Sequence, residues 1–241
     1  NLSDLIFSNL QLSKGPKVVV IGGGTGLSVM LRGLKAKTYN LTAVVTVADD
    51  GGSTGRIRQD LDIIAPGDLR NCLVALADKE GLMEKLFAHR FGGSGNLTGH
   101  SFGNLFIAAL IEVLGDVEEA MDATSKVLRV RGKVIPSSAE KLRLNAEMTD
   151  GRIVEGESQI PHAHGKIKRV FTTPEHPRAI QSAVDAIREA DAIVLGPGSL
   201  YTSIMPNLCV PDIVQAVRTS KAPKIYICNV MTQPGETDDY T

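Results

Sequence analysis

Hydrophobic residues in the first fifty positions alternate between continuous runs and helical spacing. Lys17 to Ile21 is a β-branched run, as expected for a strand that is buried on both faces of a parallel sheet. The run stops at glycines, and from Thr25 the apolar positions recur at helical spacing until a second run extends from Leu41 to Val47. This order predicts a strand, helix and strand unit with a right-handed crossover.

The rest of the chain continues this alternation except for one segment. Helical patterns are predicted over 67–76, 82–89, 100–114, 117–128, 180–190 and 211–217, and strand runs over 192–195 and 224–230. The exception begins near residue 133, where Thr149-Asp150-Gly151 separates two alternating segments, 142–148 and 153–160, as a hairpin turn does. A third short strand is predicted over 166–172.

These elements predict the α/β class, with a doubly wound, Rossmann-like parallel sheet and a small β-rich insertion at about 133–172. We expect residues 17–241 to form one α/β domain. Residues 1–16 are interpreted as an N-terminal extension, either native or added by cloning. A signal peptide is not expected there, because Asp4 stands where basic residues should precede an apolar stretch.

Composition narrows the class of protein. The chain has 241 residues with 26 Lys and Arg, 27 Asp and Glu, a formal net charge of −1, and 43% hydrophobic residues. A net charge close to zero gives no overall positive potential that would attract nucleic acid. No apolar run approaches the roughly 20 residues needed to span a bilayer. Cys72, Cys209 and Cys228 lie in apolar surroundings, which favours packing roles in a reducing cytoplasm. We therefore expect a soluble cytoplasmic protein with no nucleic acid partner and no membrane span.

The first candidate site is the glycine loop Gly22-Gly23-Gly24-Thr25-Gly26, which joins the first strand to its helix. Glycines let a backbone approach an anion closely, and the free N–H groups at a helix start favour phosphate. The spacing fits neither the dinucleotide fingerprint nor the P-loop, because Leu27 stands where the third glycine belongs and no Lys-Ser/Thr pair follows. The alternative interpretation is a tight structural turn.

A second candidate loop, Asp49-Asp50-Gly51-Gly52-Ser53-Thr54-Gly55-Arg56, follows the second strand. Ligands of open α/β sheets bind at carboxyl strand ends, so this loop should face the same crevice as the first. Asp49 and Asp50 suit sugar hydroxyls or catalysis, and Asp50 is the candidate for Mg²⁺. Arg56 and Arg58 suit phosphate oxygens. Alternation favours Asp50 as the side chain that faces the crevice, and a solvated turn is the alternative.

A third candidate loop, Gly196-Pro197-Gly198-Ser199-Leu200-Tyr201-Thr202-Ser203, follows a later strand. The hydroxyls of Ser199, Thr202 and Ser203 can donate to an anion that Gly196 and Gly198 admit. We expect this loop and the first glycine loop to lie on the same edge of one sheet and to share a ligand with a diphosphate or separated phosphates. The alternative is a helix cap and turn.

Two further ligand candidates stand at the start of a predicted buried helix. His100 can titrate near neutrality or bind phosphate, and Asn104 can orient a base or a sugar. A structural role is the alternative for the histidine. The sequence contains neither a Cys/His metal set nor a Gly-x-Ser-x-Gly nucleophile motif.

These motifs together resemble the YvcK family of gluconeogenesis factors, within the CofD-like superfamily. The resemblance runs from Lys17 to the end of the chain and rests on KVVVIGGGTGLS, VVTVADDGGSTGRIR, PGDLRNCLVAL, TGHSFGN, VRGKVIP, GPGSLYTS and YICNVMTQPGETD. The superfamily includes the 2-phospho-lactate transferase of deazaflavin coenzyme synthesis. That branch has an Asn-Thr-Ala-Glu-Asp type segment where this chain has residues 46–52, and it lacks the Gly-Pro-Gly-Ser-Leu-Tyr loop.

The resemblance implies a bacterial cytoplasmic protein that is needed for normal cell shape and for growth on gluconeogenic carbon sources. It implies a UDP-sugar ligand such as UDP-N-acetylglucosamine, with no required cofactor and no assigned reaction. Protein partners in envelope synthesis and a homodimer stay open. Members of the family continue past residue 241 into a region that helps to hold the uridine nucleotide, so we expect that part of the family to be missing from this chain.

Two functions are therefore compared. A nucleotide-sugar-binding regulator needs only the cradle that the loops supply. A 2-phospho-lactate transferase-like enzyme would act on a nucleotide-activated substrate, with Asp49 or Asp50 holding Mg²⁺ against a leaving diphosphate. We favour the regulator, because the sequence offers no second group placed as base or nucleophile. An NAD-dependent oxidoreductase is disfavoured by the missing dinucleotide fingerprint.

Overall fold

The fold is a central parallel sheet flanked by helices, with a smaller antiparallel sheet beside it. The computed structural model describes residues 2–78, 81–238 and 240. Its strands are β1 (Val18–Gly22), β2 (Leu41–Val45), β3 (Lys133–Pro136), β4 (Arg143–Met148), β5 (Ile153–Glu155), β6 (Ile167–Thr173), β7 (Ala192–Leu195) and β8 (Lys224–Tyr226). Its helices are α1 (Leu2–Ser13), α2 (Gly24–Leu34), α3 (Gly52–Leu61), α4 (Gly67–Leu76), α5 (Gly81–Ala88), α6 (Phe102–Leu114), α7 (Val117–Leu128), α8 (Gln181–Arg188), α9 (Met205–Leu208) and α10 (Pro211–Thr219). A 3₁₀-helix spans Glu157–His162 and a π-helix spans Leu200–Ile204.

The central sheet has the strand order β3-β2-β1-β7-β8, and every neighbouring pair is parallel. The chain places β1, β2 and β3 in one direction across the sheet and then returns to place β7 on the other side of β1. The order of the strands therefore reverses between β1 and β7, which is the switch point where open α/β sheets leave a crevice for ligand. The predicted α/β class with a doubly wound parallel sheet is confirmed.

The antiparallel sheet has the order β5-β4-β6 and lies within the predicted insertion. The hairpin between β4 and β5 turns at residues 149–151, and Gly151 has a φ of +87°, as the predicted Asp-Gly turn requires. The second arm of the hairpin is shorter than predicted, because Glu157–His162 forms the 3₁₀-helix. Lys133–Pro136 pairs with β2 in the central sheet, so the insertion begins later than residue 133. A short apolar run indicates a strand but not which sheet it joins.

The core is built from the continuous apolar runs of the parallel strands. Val20 and Ile21 of β1 and Val44 of β2 are fully buried, because helices cover both faces of such a sheet. Cys72 of α4 is buried in this core, in agreement with its predicted packing role. Cys228 is exposed, so the packing role predicted for that residue is wrong.

The two ends of the chain pack differently on the domain. α1 contacts the segment before β2, where the Tyr39 N–H donates to the Leu12 carbonyl at 2.9 Å and the Tyr39 hydroxyl donates to Asn9 Oδ1 at 2.6 Å. β8 is exposed and only three residues long, whereas the apolar pattern predicts a strand over 224–230.

None of the helices in the described part of the chain combines the length and the apolar character needed to cross a membrane.

Candidate ligand-binding cleft

The two glycine-rich loops lie side by side at the carboxyl edge of the central sheet. Residues 22–26 follow β1 and residues 196–203 follow β7, and these two strands are parallel neighbours. A Cβ on Gly26 would lie 3.2 Å from the carbonyl oxygen of Pro197, so the loops are in direct contact. The expectation that both loops share one edge of the sheet is confirmed.

The first glycine loop is closely packed on one side. Gly23 has extended backbone, and a Cβ there would lie 2.6 Å from Thr46 Cγ2 and 2.7 Å from Asp68 Oδ2. Gly24 begins α2 with a φ of +71°, which is a left-handed conformation that favours glycine. Thr25 is exposed in the first turn of α2. Thr46 and Asp68 therefore leave no space for a side chain at Gly23.

Asp68 places its carboxylate beneath the first glycine loop from the first turn of α4. Burial raises the pKa of this carboxyl to about 6, against the opposing effect of a hydrogen bond from the Gly24 N–H. A carboxylate of the protein thus already occupies an N–H group that the sequence assigns to phosphate. Sequence reasoning places Asp68 only at a helix start and misses it as a site residue, although its position directly after Pro66-Gly67 was an available signal.

The second glycine loop is closed by the segment that follows β8. The Gln233 side-chain amide donates to Ser199 Oγ, and the Thr202 hydroxyl donates to Glu236 Oε1 at 3.1 Å. Two of the three hydroxyls expected to bind an anion are therefore engaged within the protein. Sequence reasoning misses both Gln233 and Glu236, because nothing in the local pattern connects them to a loop more than thirty residues earlier.

Asn207 ties the two glycine loops together. Its side chain is fully buried, and Nδ2 donates to the Gly22 carbonyl at 3.1 Å and to the Ser203 carbonyl at 3.0 Å. Gly196 and Gly198 shape the second loop with φ values of +85° and +157°. The π-helix that follows is a rare conformation that occurs frequently at functional sites.

Glu157 and Glu236 add two further carboxyl groups near the loops. Burial and the charges of Asp49, Asp50, Asp68 and Glu236 raise the pKa of Glu157 to about 8, so that this side chain carries a proton at pH 7. Burial also raises the pKa of Glu236, against the hydrogen bond from Thr202. The cleft is therefore surrounded by carboxyl groups that repel one another when charged.

The adjacent carboxylates of the second candidate loop point in different directions. Asp50 Oδ1 accepts from the Ser158 N–H of the insertion at 2.8 Å. Asp49 Oδ1 accepts from the Gly51 N–H at 2.9 Å, and a Cβ on Gly67 would lie 2.7 Å from Asp49 Oδ2. Asp49, rather than Asp50, thus faces α4 at the head of the cleft. The orientation predicted for Asp50 is wrong, because the insertion supplies a partner that the local pattern cannot indicate.

Arg58 braces the backbone instead of facing the cleft. Its guanidinium donates to the Asp49 carbonyl at 2.9 Å and to the Leu142 carbonyl at 2.7 Å. Burial lowers the pKa of this side chain, although the charges of Asp50 and Asp49 partly counteract that effect. Its hydrogen bonds link the second candidate loop to the residue that precedes β4, the first strand of the hairpin.

Arg56 and Arg90 both brace the glycine-rich loop over residues 91–99. Arg56 Nη2 donates to the Thr98 carbonyl at 2.8 Å, and Arg90 Nη1 donates to the Gly99 carbonyl at 3.0 Å. Both side chains are exposed. They differ in one respect, since Arg90 lines the cavity at the start of α3 and Arg56 lies outside its lining.

Ser53 is the centre of a buried hydrogen-bond network at the start of α3. Its Oγ lies 3.2 Å from His100 Nδ1 and accepts from the Ser101 N–H at 3.3 Å and from Asn104 Nδ2 at 3.4 Å. Because two donors use its lone pairs, the hydroxyl proton is directed to His100, whose own proton is then on Nε2. Burial lowers the pKa of His100, which favours the neutral form of the ring. The network joins α3 to the start of α6.

Replacing Ser53 by alanine is expected to lower the free energy of unfolding by about 1–3 kcal/mol, because His100 and the Ser101 N–H lose a buried partner. Urea denaturation followed by circular dichroism measures this loss. Ser28→Ala is the matched control, since the buried Ser28 hydroxyl donates only to Thr25 within its own helix. Its effect should stay within about 1 kcal/mol. Equal losses in the two variants would contradict the central role of Ser53.

A cavity of about 380 Å³ opens between the starts of α3 and α4, next to the switch point. Its lining includes Asp49, Ser53, Asp68, Arg70, Arg90 and Asn104. Within the described residues, Arg70 Nε and Asn104 Oδ1 have no hydrogen-bond partner, although these side chains are only 8% and 1% exposed. Buried polar atoms are nearly always paired with the protein or with ordered water, so this pair makes the cavity the candidate binding site. Sequence reasoning predicts Asn104 for the site and misses Arg70.

Arg70 is held rigidly at the cavity wall. Nη1 donates to Ser101 Oγ at 2.7 Å and Nη2 donates to Asn71 Oδ1 at 2.6 Å. The stem of Arg70 packs on Gly103, where a Cβ would lie 2.8 Å from Arg70 Cδ. The unpaired Nε–H is therefore fixed in position by the other end of the guanidinium group.

A larger cavity, of about 590 Å³, lies at the amino ends of β1, β2 and β3 beside α8, where Lys17, Tyr39 and Glu189 line it. Open α/β sheets bind ligands at the opposite edge, and the unpaired buried atoms of Arg70 and Asn104 are found there. The smaller cavity is therefore the stronger candidate site.

Within residues 2–78, 81–238 and 240, no group of three or more His, Cys, Asp and Glu side chains is arranged to hold a metal ion. Asp50, the residue proposed from sequence to hold Mg²⁺, is bonded to the Ser158 N–H.

The fold defines an α/β protein with a parallel central sheet and a candidate cleft at the carboxyl edge of that sheet. A family model described as 2-phospho-L-lactate transferase CofD matches residues 18–241. The chain belongs to this CofD family and, within it, to the gluconeogenesis-factor (YvcK) branch, as its curated relatives indicate.

Those relatives cover nearly all of the chain. A protein of Halalkalibacterium halodurans, named gluconeogenesis factor, is 58% identical over 228 residues, which are 95% of this chain and 71% of the relative. The gluconeogenesis factor of Bacillus subtilis is 57% identical over 230 residues, 95% of this chain and 73% of the relative. A relative from Nostoc sp. is 58% identical over 240 residues, so the chain spans about half, 53%, of that protein.

A solved structure supports the same fold. The crystal structure of a Bacillus halodurans protein is 58% identical to this chain, with a TM-score of 0.92, and the match covers 95% of this chain and 73% of that one. The two chains therefore share the same overall fold.

Proposed function

We propose that this chain binds a nucleotide sugar, with UDP-N-acetylglucosamine as the expected ligand, and acts as a cytoplasmic regulator of growth on gluconeogenic carbon sources and of cell shape. The observation that carries the proposal is the cavity between the starts of α3 and α4, where the buried Arg70 Nε and Asn104 Oδ1 have no partner within the described residues. The name of the relatives, gluconeogenesis factor, supports the regulatory part. Protein partners in envelope synthesis and a homodimer belong to the same proposal.

The chemistry of the cavity wall suits both parts of such a ligand. Asp49 and Asp68 offer carboxylate oxygens, which accept hydrogen bonds from sugar or ribose hydroxyls. Arg70 and Arg90 offer guanidinium donors for the negatively charged part of the ligand. Carboxylates alone would repel a diphosphate, and arginines alone would not select a sugar. The mixed wall therefore favours a molecule that carries hydroxyls and phosphates together.

A regulatory role is favoured over catalysis by the state of the Ser53–His100 pair. The 3.2 Å contact between Ser53 Oγ and His100 Nδ1 has the spacing of a nucleophile and its base. Ser53 is only 4% exposed, however, and its oxygen already accepts two hydrogen bonds. An oxygen whose lone pairs are used in this way is a poor nucleophile, so the pair serves to join two helices.

The second candidate function is a transferase that acts on a nucleotide-activated substrate. The family model carries the description of such an enzyme, 2-phospho-L-lactate transferase. Glu157, whose pKa is raised to about 8, supplies a protonated carboxyl near the loops that could act as an acid. Formation of product from UDP-N-acetylglucosamine or a nucleotide-activated phospholactate by the wild type would favour this function over regulation.

Calorimetric titration with UDP-N-acetylglucosamine tests the proposed function through the adjacent carboxylates. Asp49→Asn is expected to weaken binding by about 1–3 kcal/mol, because a charge-assisted hydrogen bond to a ligand hydroxyl is lost. Asp50→Asn is the matched variant, since the Asp50 side chain is bonded to Ser158 of the insertion. It should change affinity by less than about 0.5 kcal/mol. Absence of binding by the wild type, or equal losses in both variants, would contradict the proposed site.

A further inference from the structure

The carboxylates of Asp68 and Glu236 close the two glycine-rich loops from within the protein. Asp68 Oδ2 lies 2.7 Å from the position that a Cβ on Gly23 would take, and the Gly24 N–H donates to this carboxylate. Glu236 Oε1 accepts from Thr202 at 3.1 Å. In each loop a carboxylate of this chain holds the place that the sequence assigns to a phosphate.

Groups of the two loops are therefore already engaged within the protein. Asp68 uses the Gly24 N–H, and Glu236 uses the Thr202 hydroxyl. Donors that still lack a partner are better candidates for the phosphates of a ligand.

The start of α3 supplies such donors in the cavity between α3 and α4. α3 has ten residues and begins at Gly52 after the extended Gly51, without a hydrogen bond from a capping side chain. The first-turn N–H groups of a helix lack partners inside the helix and carry the positive end of its dipole. Asp49 Oδ1 uses the Gly51 N–H, and the next residues, Ser53 and Thr54, face the cavity.

Two arginines stand beside this helix start. Arg70 is 8% exposed, and its Nε–H has no partner in the described part of the chain, although Ser101 and Asn71 hold the rest of the guanidinium. Arg90 reaches the cavity from the exposed side. A fixed, buried donor without a partner is an observation independent of the helix start, and it indicates an acceptor in the same cavity.

We propose that the diphosphate of the ligand binds at the start of α3, between Arg70 and Arg90, and enters neither glycine-rich loop. The assignment rests on the proposed function, because it locates one part of the proposed nucleotide sugar. The carboxylates of Asp49 and Asp68 are then left for hydroxyl groups of the same ligand.

The test compares two arginines that brace the same loop. Arg90→Gln and Arg56→Gln each remove a guanidinium that donates to residues 91–99, but only Arg90 lines the cavity. Arg70→Lys is a third variant, which keeps the charge and removes the Nε–H. The affinities of UDP-N-acetylglucosamine, UDP and inorganic pyrophosphate are measured by calorimetry, and thermal melting by circular dichroism checks that each variant is folded.

Arg90→Gln and Arg70→Lys are each expected to weaken all three probes about tenfold, the equivalent of ~1.4 kcal/mol. Arg56→Gln should weaken them less than about twofold, because Arg56 lies outside the lining of the cavity. Arg90 is exposed, so Arg90→Gln keeps the assignment testable even where Arg70→Lys melts at low temperature.

The outcomes separate the two proposals. Binding of UDP-N-acetylglucosamine that is insensitive to Arg90→Gln would overturn the phosphate assignment while the proposed function stands. Binding of pyrophosphate that depends on Arg90, without any binding of the nucleotide sugar, would support the anion subsite and overturn the proposed function. Equal losses in Arg90→Gln and Arg56→Gln would trace the effect to loop bracing and overturn the assignment. Failure of the wild type to bind any of the three probes would overturn both.

Discussion

Replacing Gly23 by alanine is expected to lower the free energy of unfolding by about 1–3 kcal/mol, the cost of placing a methyl group where the core has no space. The added Cβ would lie 2.6 Å from Thr46 Cγ2 and 2.7 Å from Asp68 Oδ2. Thr46 is 2% exposed and its N–H donates to the Gly22 carbonyl, so it cannot move away freely. The backbone at Gly23 is extended, which excludes a φ penalty as the source of the loss.

Gly33→Ala is the control for the Gly23 variant. Gly33 lies in α2, the helix that begins directly after Gly23, and a Cβ there would meet no atom of the described residues within 4 Å. Alanine is the better helix former, so this variant should be neutral or stabilising by up to about 1 kcal/mol. Urea titration of both variants gives the two values. A Gly23→Ala protein as stable as the wild type would mean that Thr46 and Asp68 do not pack on the first glycine loop.

Glu157→Gln is expected to remove a loss of stability that the wild type suffers as the pH rises. The pKa of Glu157 is about 8 in the folded protein, against an ordinary value of 4.5, because burial and the charges of Asp49, Asp50, Asp68 and Glu236 oppose its ionisation. A raised pKa contributes stability that is complete below pH 4.5 and is lost as the pH rises through 8. We expect the wild type to lose roughly 2–4 kcal/mol relative to Glu157→Gln across that window.

The measurement is the free energy of unfolding of both proteins from pH 4.5 to pH 9. Glu155→Gln is the matched control, since Glu155 is exposed in the same insertion and forms a surface ion pair with Arg143 at 3.0 Å. That variant should differ from the wild type by less than about 1 kcal/mol. Parallel curves for the wild type and Glu157→Gln would contradict the electrostatic contact between the insertion and the cleft.

Most of the central fold follows from local patterns. The runs at 17–21 and 192–195 predict strands with buried faces, and the glycines after each run predict where each strand ends. Parallel strands meet at one edge with their carboxyl ends, so the nearness of the two glycine loops was predictable as well. The Asp-Gly turn at 150–151 likewise predicts its hairpin, because that dipeptide favours positive φ.

The site itself could be predicted only in part. Ser53, His100 and Asn104 were predicted as polar residues near the crevice, and the structure joins them in one buried network. Asp68 and Arg70 were missed, because the apolar pattern of α4 predicts a buried helix and does not indicate that polar side chains near its start face a cavity. Whether these residues hold a ligand stays a prediction that the proposed titrations address.

The sequence by itself determined the class of fold, the edge of the sheet that carries the loops, and the chemistry available there, since periodicity and glycine position act within a few residues. Only the tertiary structure decided which polar groups face the cleft. Asp50 is turned away by Ser158, which lies 108 residues further along the chain, and the second loop is closed by Glu236, 34 residues after Thr202. Such partners are selected by the packing of distant segments against one another, and a local pattern carries no record of that packing.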